Sequence, residues 1–231
     1  MIKIDRTEIF GWEHAIRGCR NALESWNKSD SFWKCVDYDS LNEKDIYEYE
    51  LGPNDLALMK RLCKAGTDHR KFMRMIVVYC DILAPLYWFK EFDTYKVGTV
   101  ANSCSTMHTI HKKKFELDDF SHEHIDLPQS TDVLRDTVNT LNYYRDLYLN
   151  GGEVYTRTKQ ECIVKPKDKH IWWQMIQLLP SSYNQKRTVM LNYEVLTNMY
   201  KSRKDHKLDE WREFCEWIEA LPYSELITAK E

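Results

Sequence analysis

The stretch Met73–Leu83, MRMIVVYCDIL, constrains this chain most. It is nearly continuous in apolar character and rich in β-branched residues, which predicts a strand buried on both faces. Ala84-Pro85 then breaks it, because proline cannot donate to a ladder. The following LYWFKEFDTYK starts a helix with Leu86, Phe89 and Phe92 spaced i, i+3, i+6. A buried strand between helical segments asks for a sheet with helices packed on it.

The rest of the chain is predicted mostly helical. Ile2–Ile4 is a candidate short edge strand. Trp12–Leu23 has helical spacing, with Ala15, Ile16, Cys19 and Leu23 on one face. Residues Ser25–Glu50, rich in Asp, Ser, Asn and Trp, read as a long surface loop. Gly52-Pro53-Asn54-Asp55 opens a helix, with Asn54 or Asp55 as its cap and Leu56, Leu58, Met59 and Leu62 following; Gly66 ends it. Gly98–Met107 is turn-rich, and Lys112–Gln129 is charged and predicted exposed. Further helices are predicted at Ser130–Leu149, Asp168–Leu179, Gln185–Arg203 and Leu208–Leu221, punctuated by Gly151-Gly152 and Pro180. At 231 residues, 43% hydrophobic, the chain can bury one substantial core, so a single domain over 1–231 is expected.

Charge and cysteines narrow the function. With 33 basic and 36 acidic residues the net charge is −3, so no general attraction to nucleic acid or an anionic membrane is expected. The seven cysteines include no CxxC spacing, which predicts reduced thiols and a cytoplasmic setting. The start lacks the basic and apolar regions of a signal peptide, and no run approaches the ~20 apolar residues of a spanning helix. There is no GxGxxG, GxxxxGK[ST] or GxSxG, which disfavours the usual phosphate loops and the hydrolase elbow. His122-Glu123-His124 is an HxH without a third ligand at a known spacing, so no metal is expected. His108 and His111, beside Lys112, Lys113 and Lys114, read as a solvated face.

Two stretches remain. In His69–His108 a histidine precedes the strand, and a run of Ser, Thr and Asn follows the aromatic helix. Such a run offers hydroxyls and backbone N–H groups to a phosphate, or it caps its own backbone in a turn. In Asn192–Arg203, NYEVLTNMYKSR, Asn198 falls about 120° from Asn192 around a helix, and Arg203 about 20° from it. A polar stripe on so apolar a helix is a core network or a ligand wall.

Both stretches resemble the flavin-dependent thymidylate synthases. His69, Ala84 and Pro85 fit that family's His, strand and Ala-Pro-like strand end; Leu179-Pro180 precedes the late helix; Asn192, Asn198 and Arg203 fall on its polar positions, and His206 and Trp211 follow as its His and Trp do. The family signature Arg-His-Arg, seven residues, Ser is rewritten. Its cationic trio becomes Thr94-Tyr95-Lys96, and its Ser falls on Cys104, with Ser103 and Ser105 one residue either side. The middle Arg of the late helix is Glu194. Each lost cation removes charge-assisted hydrogen bonds of roughly 1.5–3 kcal/mol.

The resemblance implies an α+β fold, a small antiparallel sheet flanked by long helices, and a homotetramer. It implies a nucleotide-like ligand and reductive methylation of a uracil ring in dUMP or a related base modification, with FAD as cofactor and folate as carbon donor. It implies catalysis by Arg203, substrate binding by Lys96, Ser103, Ser105 and Arg203, and cofactor binding by His69, Asn192 and Asn198. The rewritten signature implies little bound flavin, so the alternative is a non-catalytic nucleotide-binding relative that kept the fold.

Overall fold

The computed structural model describes residues 1–39, 42, 44–155 and 160–228. The fold is mixed helix and sheet, with a small antiparallel sheet and helices, as expected. Four strands form the main sheet: β1 (Lys3–Phe10), β4 (Val77–Pro85), β5 (Val100–Ser103) and β8 (Asn184–Asn192), in the order β1-β4-β8-β5. Two antiparallel hairpins are separate from it: β2 (Phe32–Asp39) with β3 (Lys44–Glu50), and β6 (Gly152–Tyr155) with β7 (Glu161–Val164). The chain divides into two compact units, each assembled from three stretches.

The first unit comprises Met1–Lys3, Ile82–Asp93 and Asn102–Arg187. Its long helix α5 (Pro128–Asn150) packs on α6 (Lys169–Leu178). Pro128 stands in the first turn of α5, where its missing N–H costs nothing, and the Asp168 carboxylate caps α6 by accepting from His170 and Ile171. Leu134, Val138 and Leu141 on α5 meet Met175, Phe115 and Phe120 in one apolar cluster. That corrects the expectation of an exposed 112–129 segment: Lys112–Lys114 are exposed, but Phe115, Phe120 and Ser121 are buried. The aromatic helix α3 (Leu86–Phe92) forms and is shorter than predicted; Trp88, Phe89 and Phe92 are buried, with Trp88 stacked on Phe92 at 5.1 Å. A short α4 (Thr106–Thr109) interrupts the turn-rich segment.

The second unit comprises Ile4–Asp81, Thr94–Ala101 and Thr188–Glu231. Here α1 (Trp12–Asn21), α2 (Pro53–Lys64), α7 (Tyr193–Arg203), α8 (Asp209–Glu219) and α9 (Glu225–Thr228) pack together with a 3-10 segment, Lys71–Met75. Ala15, Ile16 and Cys19 are buried as predicted, but α1 stops at Asn21 and Leu23 is exposed. The cap of α2 also differs. Its free N–H groups at Asn54 and Asp55 donate to the carboxylate of Asp30 at 2.9 and 3.1 Å, because Pro53 fills the first position and a distant acid supplies the cap. Asp55 turns inward to Arg20.

Three further predictions need correction. Residues 25–50 are not a loop: β2 and β3 pair in antiparallel register, held by cross-strand partners such as Trp33 and Tyr49, whose rings lie 5.1 Å apart. The buried strand starts at Val77 rather than Met73. Val78, Cys80, Ile82 and Ala84 are buried, while Tyr79 is exposed, so burial is not equal on the two faces. Gln185–Arg203 is not one helix: Asn184–Asn192 is strand β8, and α7 begins only at Tyr193. Asn192 is the joint, its side-chain oxygen accepting from the Val195 N–H at 2.9 Å. An Asn cap ends a strand and starts a helix without glycine or proline.

Candidate functional site

In the second unit the residues singled out from the sequence gather along α7. Asn192 caps its start and Arg203 closes its end, about 16 Å apart at ~1.5 Å per residue. The segment Thr94–Ala101 meets that helix at two points. At one end Gly98 adopts φ +80°, and a Cβ there would stand 2.5 Å from the Asn192 side-chain nitrogen, so only glycine fits. At the other end Arg203 donates from Nε to the Tyr95 hydroxyl at 2.9 Å. Lys96 lies between these attachments and is exposed, as is Val97.

Arg203 is itself bracketed by rings. Its guanidinium carbon sits 4.8 Å from the centroid of buried Trp211 and 5.6 Å from that of Tyr95, and the two rings meet edge to face at 6.1 Å. A guanidinium over such faces gains ~0.5–2 kcal/mol and keeps its charge. His206 packs on the same Trp211 at 6.4 Å, with Nδ1 accepting from the Leu208 N–H. Thus Tyr95 and Trp211 together orient Arg203.

Glu194 is the acid on this helix. It is buried and lies 3.1 Å from Nε of buried Arg70, so it has its own counter-ion. Arg70 follows His69, which is exposed in the turn after α2. Asn198 is exposed on α7, while Asn192 is nearly buried. His69, Asn192 and Asn198 therefore occupy three different environments in this unit.

The first unit holds the hydroxyl run. Ser103 ends β5 and is exposed. The Cys104 N–H donates to the Lys186 carbonyl at 2.9 Å. Ser105 accepts from the His108 N–H with Oγ and so caps α4, while its carbonyl accepts from the Thr109 hydroxyl at 2.6 Å. This is the self-capping turn. Sequence reasoning missed its partners because it placed them in a helix. The Gln185 amide donates to the Cys104 carbonyl at 3.0 Å, and Arg187 donates to Gln185 Oε1 at 3.0 Å. Arg187 also pairs with Asp93 at 2.6 Å and lies 3.8 Å over the Phe89 ring. The short apolar run Val189-Met190-Leu191, bounded by Thr188 and Asn192, is the signal that would have suggested a buried strand.

The histidines give no metal set. His111 packs its half-buried ring on Tyr148 at 4.9 Å rather than joining a solvated face. His122 Nδ1 lies 2.8 Å from the Phe120 carbonyl. Burial works against the charge on Glu123, but the Ser121 hydroxyl and the terminal ammonium of Met1 outweigh it and pull the carboxyl down to about 2. Among the described residues no group of three or more His, Cys, Asp or Glu could hold a metal ion, and no helix is long and apolar enough to cross a membrane.

No protein-family model and no curated protein matches the chain by sequence. Solved structures do. The flavin-dependent thymidylate synthase ThyX from Helicobacter pylori, complexed with FAD and dUMP, aligns over 97% of this chain and 96% of its own, with 14% identity and a TM-score of 0.62. A second ThyX structure from Helicobacter pylori with FAD and dUMP aligns over 98% and 96%, at 14% identity and 0.63. The UMP/dUMP methylase PolB from Streptomyces cacaoi, bound with 5-Br dUMP, aligns over 99% and 95%, at 12% identity and 0.57. The likeness runs the whole length and is one of fold: this chain has the fold that the sequence resemblance implied.

Proposed function

We propose that this chain is a thymidylate synthase-like protein that binds a pyrimidine deoxynucleotide and acts on its uracil ring, by reductive methylation or a related base modification. What carries this reading is the anchoring of Thr94–Ala101 along α7, which fixes Arg203 and leaves Lys96 exposed beside it. That the full-length structural neighbours are bound to dUMP or its 5-bromo analogue supports the choice of ligand. Arg203 would donate to a uracil carbonyl and stabilise negative charge that develops on it, already oriented by Tyr95 and Trp211. Lys96 would meet the phosphate as a point charge. Ser103 and Ser105 are candidates for phosphate contact in their own right, although the Ser105 hydroxyl must then leave its helix cap. A homotetramer in the cytoplasm accompanies this reading, with folate as carbon donor.

The two ThyX neighbours are in complex with FAD. The residues expected to hold it here fit poorly. Asn192 uses its side-chain oxygen on α7, and Glu194 puts a carboxylate, with Arg70 bound to it, where the family has an arginine. With those groups engaged, a dinucleotide's phosphates would meet fewer forked guanidiniums here than in the family. This mismatch favours the second reading, a non-catalytic nucleotide binder that kept the fold.

Calorimetric titration with dUMP and with deoxyuridine, on protein whose visible spectrum has been recorded, tests both readings. The proposal expects dUMP to bind more tightly than the nucleoside, and Arg203→Ala to lose about 10- to 150-fold in affinity, the equivalent of ~1.5–3 kcal/mol. Deuterium or methyl incorporation at the uracil C5 then separates enzyme from binder. Absence of dUMP binding at millimolar concentration would remove both readings together.

A further inference from the structure

The β2–β3 hairpin presents an aromatic surface that the described residues leave largely exposed. In its register Trp33 opposes Tyr49, Cys35 opposes Tyr47 and, past a bulge, Tyr38 opposes Asp45. Opposed residues at alternate positions share a face, so four aromatic rings lie on one side. Trp33, Tyr38 and Tyr47 are each more than half exposed. An isolated two-stranded hairpin is marginal in water, and a contiguous exposed apolar patch marks an interaction surface.

The charges around this face say what would cover it. At its inner end the Trp33 indole N–H points to the Glu13 carboxylate at 3.4 Å; at its outer end the Tyr47 hydroxyl donates to Asp45 at 3.3 Å. The neighbouring charge of Asp45 raises the Tyr47 hydroxyl's pKa. The opposite side of the hairpin adds Asp37, Glu48 and Glu50, with Lys34 tied to Glu50 at 3.0 Å. Rings bounded by carboxylates attract cations, through the ring faces and through ion pairs. The chain already uses that chemistry twice, with Arg187 over Phe89 and Arg203 over Trp211. Successive residue pairs on this face are ~6.8 Å apart, the repeat of alternate residues in an extended strand.

We propose that the aromatic face of the β2–β3 hairpin docks an extended, basic polypeptide segment of a partner protein, with Lys or Arg at alternate positions seated on Trp33, Tyr47 and Tyr38. The surface lies apart from Arg203 and Lys96 in sequence and does not depend on the nucleotide reading.

The test uses the full chain and two fluorescein-labelled eight-residue peptides of equal charge, one alternating Lys and Thr, one with four Lys followed by four Thr. Fluorescence anisotropy at ~0.15 M salt, where exposed charges beyond ~8 Å are screened, reads the affinity. The alternating peptide should bind more tightly. Trp33→Ala and Tyr47→Ala should each weaken it about 2- to 30-fold, and Tyr47→Phe, which keeps the ring, should not. Far-UV circular dichroism checks that each variant folds. Equal binding of the two peptides, or binding untouched by Trp33→Ala and Tyr47→Ala, would overturn the proposal as plain charge attraction. Self-association of the unmodified chain that Trp33→Ala abolishes without peptide would give the face to a second copy and overturn it too. So would an oligothymidylate that competes the alternating peptide off the rings.

Discussion

Asp55→Asn should destabilise the second unit more than any surface substitution can. The Asp55 side chain is fully buried, and one oxygen lies 2.6 Å from Nε of Arg20, itself 5% exposed. The other oxygen accepts from the hydroxyls of Ser29 and Ser31 at 2.6 and 2.7 Å and from the N–H groups of Asp30 and Ser31 at 3.1 and 3.2 Å. Asparagine keeps the shape but turns one acceptor into a donor and leaves the arginine charge buried without its counter-ion. Breaking a buried pair from one side costs ~3–5 kcal/mol. For a chain of this size that is a fall in Tm of about 6–20 °C, read by differential scanning calorimetry. Burial opposes the charge on Asp55, but hydrogen bonds from Ser29, Ser31, Arg20 and Asp30 outweigh it, so its folded pKa lies below the ordinary aspartate range. A depressed carboxylate stabilises fully above its unfolded pKa and loses that contribution as pH falls through the folded value. The gap between parent and variant should therefore be constant near neutral pH and close in acid, below about pH 4. A Tm within 2 °C of the parent at neutral pH, or a gap that does not close in acid, would refute the assignment of Asp55 as a buried, ionised hub.

Two other measurements follow from particular contacts. Gly98→Ala forces a Cβ at φ +80° against the Asn192 amide; dUMP affinity should fall at least as far as with Arg203→Ala, and unchanged affinity would detach Thr94–Ala101 from the site. With a thiol-reactive chromogen, the exposed Cys35, Cys104 and Cys162 should react quickly, whereas Cys19, Cys63, Cys80 and Cys215 should react only on denaturation. Burial is the first cause of the raised thiol pKa values, about 12 for Cys19, Cys80 and Cys215 and about 11 for Cys63; a fourth fast thiol would contradict that packing.

The helices were legible wherever one apolar face met a strong boundary residue. Asp168 before Ile171 and Met175, and Pro128 before Leu134, Val138 and Leu141, place α6 and α5 within a residue or two of their sequence limits. Strands were legible in part: the edge strand β1 showed only as Ile2–Ile4, although it runs Lys3–Phe10. Strand β4 announced itself through Val78, Cys80 and Ile82, but the aromatic hairpin did not. Its bulge between Cys35 and Asp37 breaks the period of two, and its aromatics alternate with charged residues in the sequence, with both faces exposed. Composition then reads as loop. Strand β8 was hidden for a different reason. Asn192 converts strand to helix in a single residue, so helical propensity in Tyr193–Arg203 was extended backwards through Gln185.

The charge pairing along α7 was not legible in the sequence. Reading Glu194 against a family arginine suggests a phosphate-repelling carboxylate, yet that carboxylate is buried at 3.1 Å from Arg70. Burying a carboxylate is tolerable only with such a partner, so the substitution at 194 and the arginine at 70 stand or fall together. No spacing rule links residues 124 positions apart, and the sequence could not pair them. The same holds for Tyr95 and Arg203, 108 positions apart. In the sequence, tyrosine for histidine looks like loss of a cation; in the structure its hydroxyl accepts from the arginine that remains. The two pairs do different work. Arg70 meets the Glu194 carboxylate, so a charge is matched by a charge and the pair offers a phosphate no net attraction. Tyr95 brings a hydroxyl and a ring face to Arg203, so it fixes the direction of the guanidinium without adding a charge of its own.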